Sequence, residues 1–179
     1  MKIIKANSKN KAIVEAEKIY ANIRWIRTTI ANLRSDFEKR KEDVESRIPY
    51  TSSSYIENDV RVSGGSHRGP QESPTIQLRD DEQELIALAY DFEELVRAMN
   101  AAIEYAVIEG NAKLGNRPRI IKALNATLKD GVDYKELAGR NIIISRDTLD
   151  GYKKLALIKA AESIKILRED GNKALALFR

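Results

Sequence analysis

The chain contains no cysteine, one histidine, four prolines and one tryptophan in 179 residues. The missing thiols exclude a disulfide framework, a cysteine nucleophile and any zinc site with cysteine ligands, and they fit a reducing compartment. His67 has no second histidine or cysteine with which to share a metal, and no glycine-rich loop ends in Gly-Lys-Ser or Gly-Lys-Thr to cradle a phosphate. The expectation is a protein that is not an enzyme, with no cofactor and no metal site. No apolar run approaches the length needed to cross a bilayer, and MKIIKANSKNK at the start carries no apolar signal segment. A cytoplasmic protein with no membrane partner is expected.

What the chain has in plenty is charge and helix-spaced apolar residues. Hydrophobic residues make up 42%, enough to bury a core and far from the composition of a disordered chain. The net charge of +4 is unevenly spread. Residues 1–75 hold 14 basic and 10 acidic side chains, residues 76–112 hold 2 and 9, and residues 113–179 hold 15 and 8. The middle segment is therefore acidic and the C-terminal third basic, which is the part that would attract a polyanion.

Two long amphipathic segments carry heptad seams. Ala12, Ala16, Ile19, Ile23, Ile26, Ile30, Leu33 and Phe37 follow one another by alternating steps of four and three, predicting a helix from about Lys9 to about Arg47. At 1.5 Å per residue that seam is roughly 38 Å long. Leu85, Leu88, Phe92, Leu95, Met99, Ala102 and Ala106 repeat the pattern in a second helix from about Asp80 to about Glu109. Matched seams bury against each other, either in an antiparallel hairpin within one chain or in a coiled coil completed by a second copy. Tyr20 and Trp25 flank the first seam and are expected to widen it as packing residues. The carboxylates of the second helix, Asp80, Asp81, Glu82, Glu84, Asp91, Glu93 and Glu94, are expected to wet its outer face.

Between these helices, residues 49–79 read as a flexible linker rich in Ser, Gly and Pro. Within it Tyr50, Tyr55, Ile56, Val60 and Val62 could dock on a surface, and Arg61, His67 and Arg68 could meet a phosphate.

The C-terminal third contains the most informative pattern. Asn116-Arg117-Pro118 opens a helix near 117–129 that Gly131 closes. Asp133 is placed to cap a short helix near 134–140, with Glu136 reaching back to the cap amide. Leu137 and Ala138 give it an apolar edge, and Gly139 and Asn141 lie where the chain must turn. Ser145 is a preferred N-cap for a long helix near 146–168 with Leu149, Tyr152 or Lys153, Ala156, Ala160 and Ile164 repeating at helical spacing on its inner face. Its outer face carries Arg146, Asp147, Asp150, Lys153, Lys154 and Lys159, able to reach base edges from the first turns and phosphates further along. The layout is a helix-turn-helix. The turn is one residue longer than usual between Ala138 and Ser145, isoleucine stands where glycine is typical, and Ile142-Ile143-Ile144 could equally form a short strand. Residues 174–178 could fold back onto the bundle or pair with another copy.

The order of these parts, with SGGSHRGPQESPT, the acidic helix and RPRIIKALNATLKDGVDYKELAGRNIIISRDTLDGYKKLAL, resembles phage late-gene transcriptional regulators of the RinA and ArpU type. The resemblance spans nearly all of the chain and rests on Tyr134-x-Glu136-Leu137-Ala138 followed by Ile144-Ser145-x-x-Thr148. It implies a C-terminal helix-turn-helix similar to the promoter-reading domain of sigma factors, and an activator of packaging, structural or lysis genes in a bacterial host. Ser145, Arg146, Asp147, Asp150 and Lys153 would lie nearest the bases.

The expected fold is thus all-α: a coiled-coil-like hairpin from residues 1–48 and 80–112, then a tri-helical DNA-binding domain over 113–179. The expected partners are double-stranded DNA, RNA polymerase and further copies of the chain in a homo-oligomer. A second reading, from a different class, is a helical oligomeric adaptor such as a terminase-type packaging component.

Overall fold

The computed structural model describes residues 2–47 and 74–178. Every regular element among them is helical: α1 (Lys2–Arg47), α2 (Pro74–Glu109), α3 (Arg117–Lys129), α4 (Tyr134–Leu137) and α5 (Arg146–Glu169). Short 3-10 segments at Leu114–Asn116, Ala138–Arg140 and Lys173–Phe178 complete the order. The helix starts expected at Lys9 and Asp80 lie earlier, at Lys2 and Pro74, because nothing in residues 2–8 breaks a helix and proline is at home in a first turn. Residues 74–79 are thereby helix rather than linker. The docking and phosphate-binding readings placed on Tyr50, Tyr55, Ile56, Val60, Arg61, Val62, His67 and Arg68 lie outside the described residues. No helix among the described residues is long and apolar enough to cross a membrane.

The chain divides into two compact units, Met1–Ile30 with Leu88–Arg179, and Ala31–Ala87. In the larger unit α1 and α2 run antiparallel: Tyr20 of α1 donates its hydroxyl to the Met99 carbonyl at 2.6 Å, while Arg27, further along α1, lies 5.9 Å from the centre of the Phe92 ring. The α1 stripe Ala16, Ile19, Tyr20, Ile23, Ile26 and Ile30 is buried, as are Phe92, Leu95, Met99, Ala102 and Ala106 of α2. A second α2 stripe, Val96, Ile103 and Val107, belongs to the same core as Ile120, Leu124 and Leu128 of α3 and Leu149, Ala156, Ala160 and Ile164 of α5. One continuous core therefore joins the inner part of the hairpin to the C-terminal helices. Helix α2 contributes two adjoining buried stripes to it.

Tyr20 and Trp25 part company. Tyr20 is fully buried, and burial pushes its phenol well above the usual value of 10.0. Trp25 is 62% exposed, a correction to its reading as packing: it sits 200° around the helix from Ile23 and so faces away from the seam. Replacing Tyr20 by phenylalanine should cost about 1 kcal/mol at neutral pH, the net worth of a hydrogen bond. A phenol pKa raised by folding gives stability that is complete below the unfolded value of 10.0 and is lost as pH rises beyond it. Urea unfolding at pH 7 and pH 10.5 should therefore show a smaller alkaline loss for Tyr20→Phe than for the parent, and equal losses would contradict the burial.

Helix ends in this unit are closed by residues that tolerate a left-handed backbone. Asn111 (φ 53°) and Gly171 (φ 80°) each sit in a Schellman arrangement, with Ala112 N–H on the Val107 carbonyl at 3.2 Å and Asn172 N–H on the Leu167 carbonyl at 2.9 Å. Gly110 permits a close approach: a Cβ there would lie 2.2 Å from Cε1 of Tyr152, whose hydroxyl donates to the Gly110 carbonyl at 3.0 Å. That contact ties α5 to the end of α2. The segment after α5 folds back, burying Ala174 and Leu175, and its first amide, Lys173 N–H, donates to Asp91 Oδ2 at 2.7 Å.

The smaller unit holds the outer part of α1 and the first turns of α2. Among its described residues Phe37 is buried, Val44, Leu78 and Leu85 are half-buried, and the seam residue Leu33 is 43% exposed, with Ile86 at 63%. Arg40 meets Asp81 at 3.3 Å and Lys41 meets Glu82 at 3.4 Å.

Candidate nucleic-acid interface

The C-terminal helices assemble as α3, then α4 continued by the 3-10 segment Ala138–Arg140, then α5. The first of the pair stays α-helical for only four residues. Asp133 has the extended backbone of a cap (φ −67°, ψ 149°) but makes no side-chain cap bond. The expected reciprocal capping with Glu136 is absent; the Glu136 N–H instead donates to the Asp133 backbone carbonyl at 3.0 Å. One backbone bond suffices to start so short a helix.

The turn is built from Asn141 to Ser145 and contains no strand. Asn141, not Gly139, takes the left-handed position (φ 58°), its N–H on the Ala138 carbonyl at 3.0 Å and Ile142 N–H on the Leu137 carbonyl at 2.9 Å. This Schellman closure drives Ile142 into the core, 3% exposed beside Leu137 at 1%, while Ile143 points outward at 76%. Three consecutive isoleucines therefore reach three environments, and the extra residue of the turn is absorbed by the outward Ile143. Two neighbouring helices brace the turn carbonyls: the Tyr134 hydroxyl donates to Ile144 O at 2.7 Å, and Arg119 Nη1 of α3 donates to Ile143 O at 3.5 Å. Arg119 had no period or motif to single it out in the sequence; only the fold brings it to the turn.

Ser145 caps α5 as its type predicts, Oγ accepting the Thr148 N–H at 3.3 Å and lying 2.5 Å from the Thr148 hydroxyl. Arg146, Asp147 and Asp150 are exposed around the first turns. Arg146 approaches Asp150 at 3.8 Å one turn on, with both side chains more than 60% exposed, so this pair is worth a few tenths of a kcal/mol and opens readily. Lys154 is exposed and has no ion-pair partner among the described residues.

Lys153 and Lys159 are placed differently. Lys153 turns toward α1 and pairs with Glu17 at 2.8 Å, its side chain 32% exposed. Lys159 pairs with Glu162 at 3.1 Å and stands 4.7 Å from the centre of the Tyr105 ring of α2. Further along, Arg168 pairs with Glu15 of α1. The structure thus brings Ser145, Arg146, Asp147, Asp150 and Lys154 together at one exposed end of α5, and directs Lys153 to a structural contact. With α5 seated by Leu149, Ala156 and Ala160, this end is a solvent-facing helix start that carries two cations, Arg146 and Lys154, beside two carboxylates, Asp147 and Asp150.

Searches of protein-family models, of curated proteins and of solved structures find no match to this chain.

Proposed function

We propose that this protein is a sequence-specific DNA-binding transcriptional regulator, an activator of phage late, packaging or lysis genes that acts in the cytoplasm of a bacterial host. The observation that carries the reading is the exposed start of α5, held behind a turn whose carbonyls are braced by Tyr134 and Arg119. A helix start fixed in this way can enter a major groove without losing order, since its orientation is set before DNA arrives. Ser145, Arg146, Asp147 and Asp150 reach toward base edges, and Lys154 toward a phosphate. Lys153 serves the fold through Glu17.

The remaining parts support a regulator that works in company. Leu33 and Ile86 leave apolar surface on the smaller unit that a second copy would cover, giving a homo-oligomer. Asp80 and Glu84 stay exposed on α2 and suit a basic partner surface such as one on RNA polymerase. The same apolar hairpin also favours the adaptor reading, in which DNA contact is weak and insensitive to the start of α5.

Fluorescence anisotropy with labelled duplexes separates the two. Arg146→Ala should lose about 1–3 kcal/mol of binding free energy on a preferred sequence, as expected for an arginine on a base edge. Lys154→Ala should weaken binding equally on all sequences, and Lys153→Ala should change it least. Undiminished binding by both Arg146→Ala and Lys154→Ala, with helical content intact, would remove this helix from the interface.

A further inference from the structure

Among the described residues many basic side chains are paired with carboxylates. Arg24 meets Asp130 at 2.8 Å, Arg40 meets Asp81 at 3.3 Å, Lys41 meets Glu82 at 3.4 Å, Lys153 meets Glu17 at 2.8 Å, and Arg168 meets Glu15. Between residues 113 and 154, among the described residues, only Arg146 and Lys153 pair with a carboxylate. Arg119, Lys122, Lys135 and Arg140 are exposed and, among the described residues, no carboxylate lies within ion-pairing distance of any of them. Carboxylates are not scarce there, since Asp133, Glu136 and Asp147 are also exposed. The cations have been left open to solvent on the elements that precede and brace α5.

Arg119 is fixed closest to the helix start. Its guanidinium reaches the Ile143 carbonyl, two residues before Ser145, through one long bond of 3.5 Å that leaves the other donors of the fork free. Lys122 follows three residues later, on the same exposed side of α3. Arg140 ends the 3-10 segment that leads into the turn, three residues before Ile143, and is exposed. Ile143, whose carbonyl Arg119 reaches, is 76% exposed, an apolar tip that can lie against sugar or base edges without desolvating a charge.

We propose that Arg119 and Lys122 of α3 form a phosphate-binding flank beside the start of α5, gripping the backbone of the same duplex, with Arg140 holding it from the segment that leads into the turn. This rests on the DNA-binding reading above and adds to it a surface on a different helix. The flank reads no sequence. It sets the register and angle at which α5 meets the groove, and its signature is electrostatic: each phosphate neutralised adds about 0.9 to the steepness with which log K falls against log salt.

The test is a salt titration of the full chain on two labelled duplexes of unrelated sequence, comparing the parent, Arg146→Ala, Lys122→Ala and the double variant Arg119→Ala/Lys122→Ala, with melting curves for each. The double variant should bind both duplexes more weakly, and its salt slope should be shallower by about two. Lys122 makes no side-chain hydrogen bond or ion pair among the described residues, so Lys122→Ala alone should lower the slope by about one even if loss of Arg119 loosens the turn. A parent-like slope in Lys122→Ala and in the double variant, while Arg146→Ala still weakens binding, overturns the flank and leaves the DNA reading standing. A parent that binds neither duplex at low salt overturns both.

Discussion

Ile26→Asp should unfold the larger unit or leave it barely stable. Ile26 is 1% exposed in the middle of the α1 stripe, in the same core as Leu95 and Met99 of α2. An aspartate there must either bury an unpaired charge or take up a proton. A loss of at least about 4 kcal/mol is expected, against a total stability of about 5–15 kcal/mol for a domain of this kind. The sign with pH follows from the preference of a buried site for the neutral acid. The folded-state pKa of the new carboxyl is raised, so the deficit is smallest below the unfolded value of about 3.9 and grows as pH rises past it. Urea unfolding should show a midpoint far below that of the parent at pH 7 and nearer to it at pH 4, while Ile26→Val loses only about 1 kcal/mol. A parent-like midpoint at pH 7 would mean that the stripe is not buried.

The second large effect is expected at Leu137→Ala, which strikes the interface from beneath. Leu137 is 1% exposed, and its carbonyl receives the Ile142 N–H at 2.9 Å, so its side chain and its backbone both anchor the turn. Truncation leaves a cavity under the Schellman closure. The expected cost is about 2–5 kcal/mol, seen as a melting temperature lower by about 5–15 °C. The start of α5 loses its brace at the same time, so duplex binding should weaken even at temperatures where the chain remains helical. Ile143→Ala, at a neighbouring but 76% exposed position, should melt within about 0.5 kcal/mol of the parent. If Leu137→Ala melted with the parent, α4 and the turn would not be the seat of α5.

Much of this fold could be read from periodicity. The seams through Ile19, Ile23 and Ile26 and through Leu95, Met99 and Ala102 marked the buried stripes of α1 and α2 without deciding whether they meet within one chain or across two copies, and Pro118, Gly131 and Ser145 marked the ends of α3 and the start of α5 to within a residue or two. What spacing alone could not tell was which second face of a helix would be used. Val96, Ile103 and Val107 form a stripe of their own on α2, and through it the hairpin and the C-terminal helices share one core. A heptad reading stops at the first complete seam and leaves those residues unassigned. Trp25 departs from the packing role expected of it for a related reason: closeness in sequence to Ile23 and Ile26 says little about the face a side chain occupies when each step turns the helix by 100°.

The candidate site was legible as a layout and less so as a set of side chains. Ser145 capped as its type requires. Arg146, Asp147, Asp150 and Lys154 stayed exposed, whereas Lys153 found Glu17 across 136 residues of chain, a pairing no local pattern encodes. Arg119 was invisible for the opposite reason. It belongs to a helix before the motif and reaches the turn only because α3 packs against α5.

The central claim, that the exposed start of α5 reads duplex DNA, is tested most directly by selecting bound duplexes from a randomised pool with the full chain and repeating the selection with Arg146→Ala. The account predicts enrichment of one recurring sequence by the parent, and loss or relaxation of that preference at one or two adjacent positions in the variant. Failure of the parent to enrich any sequence, or an identical enriched sequence from Arg146→Ala, would contradict it.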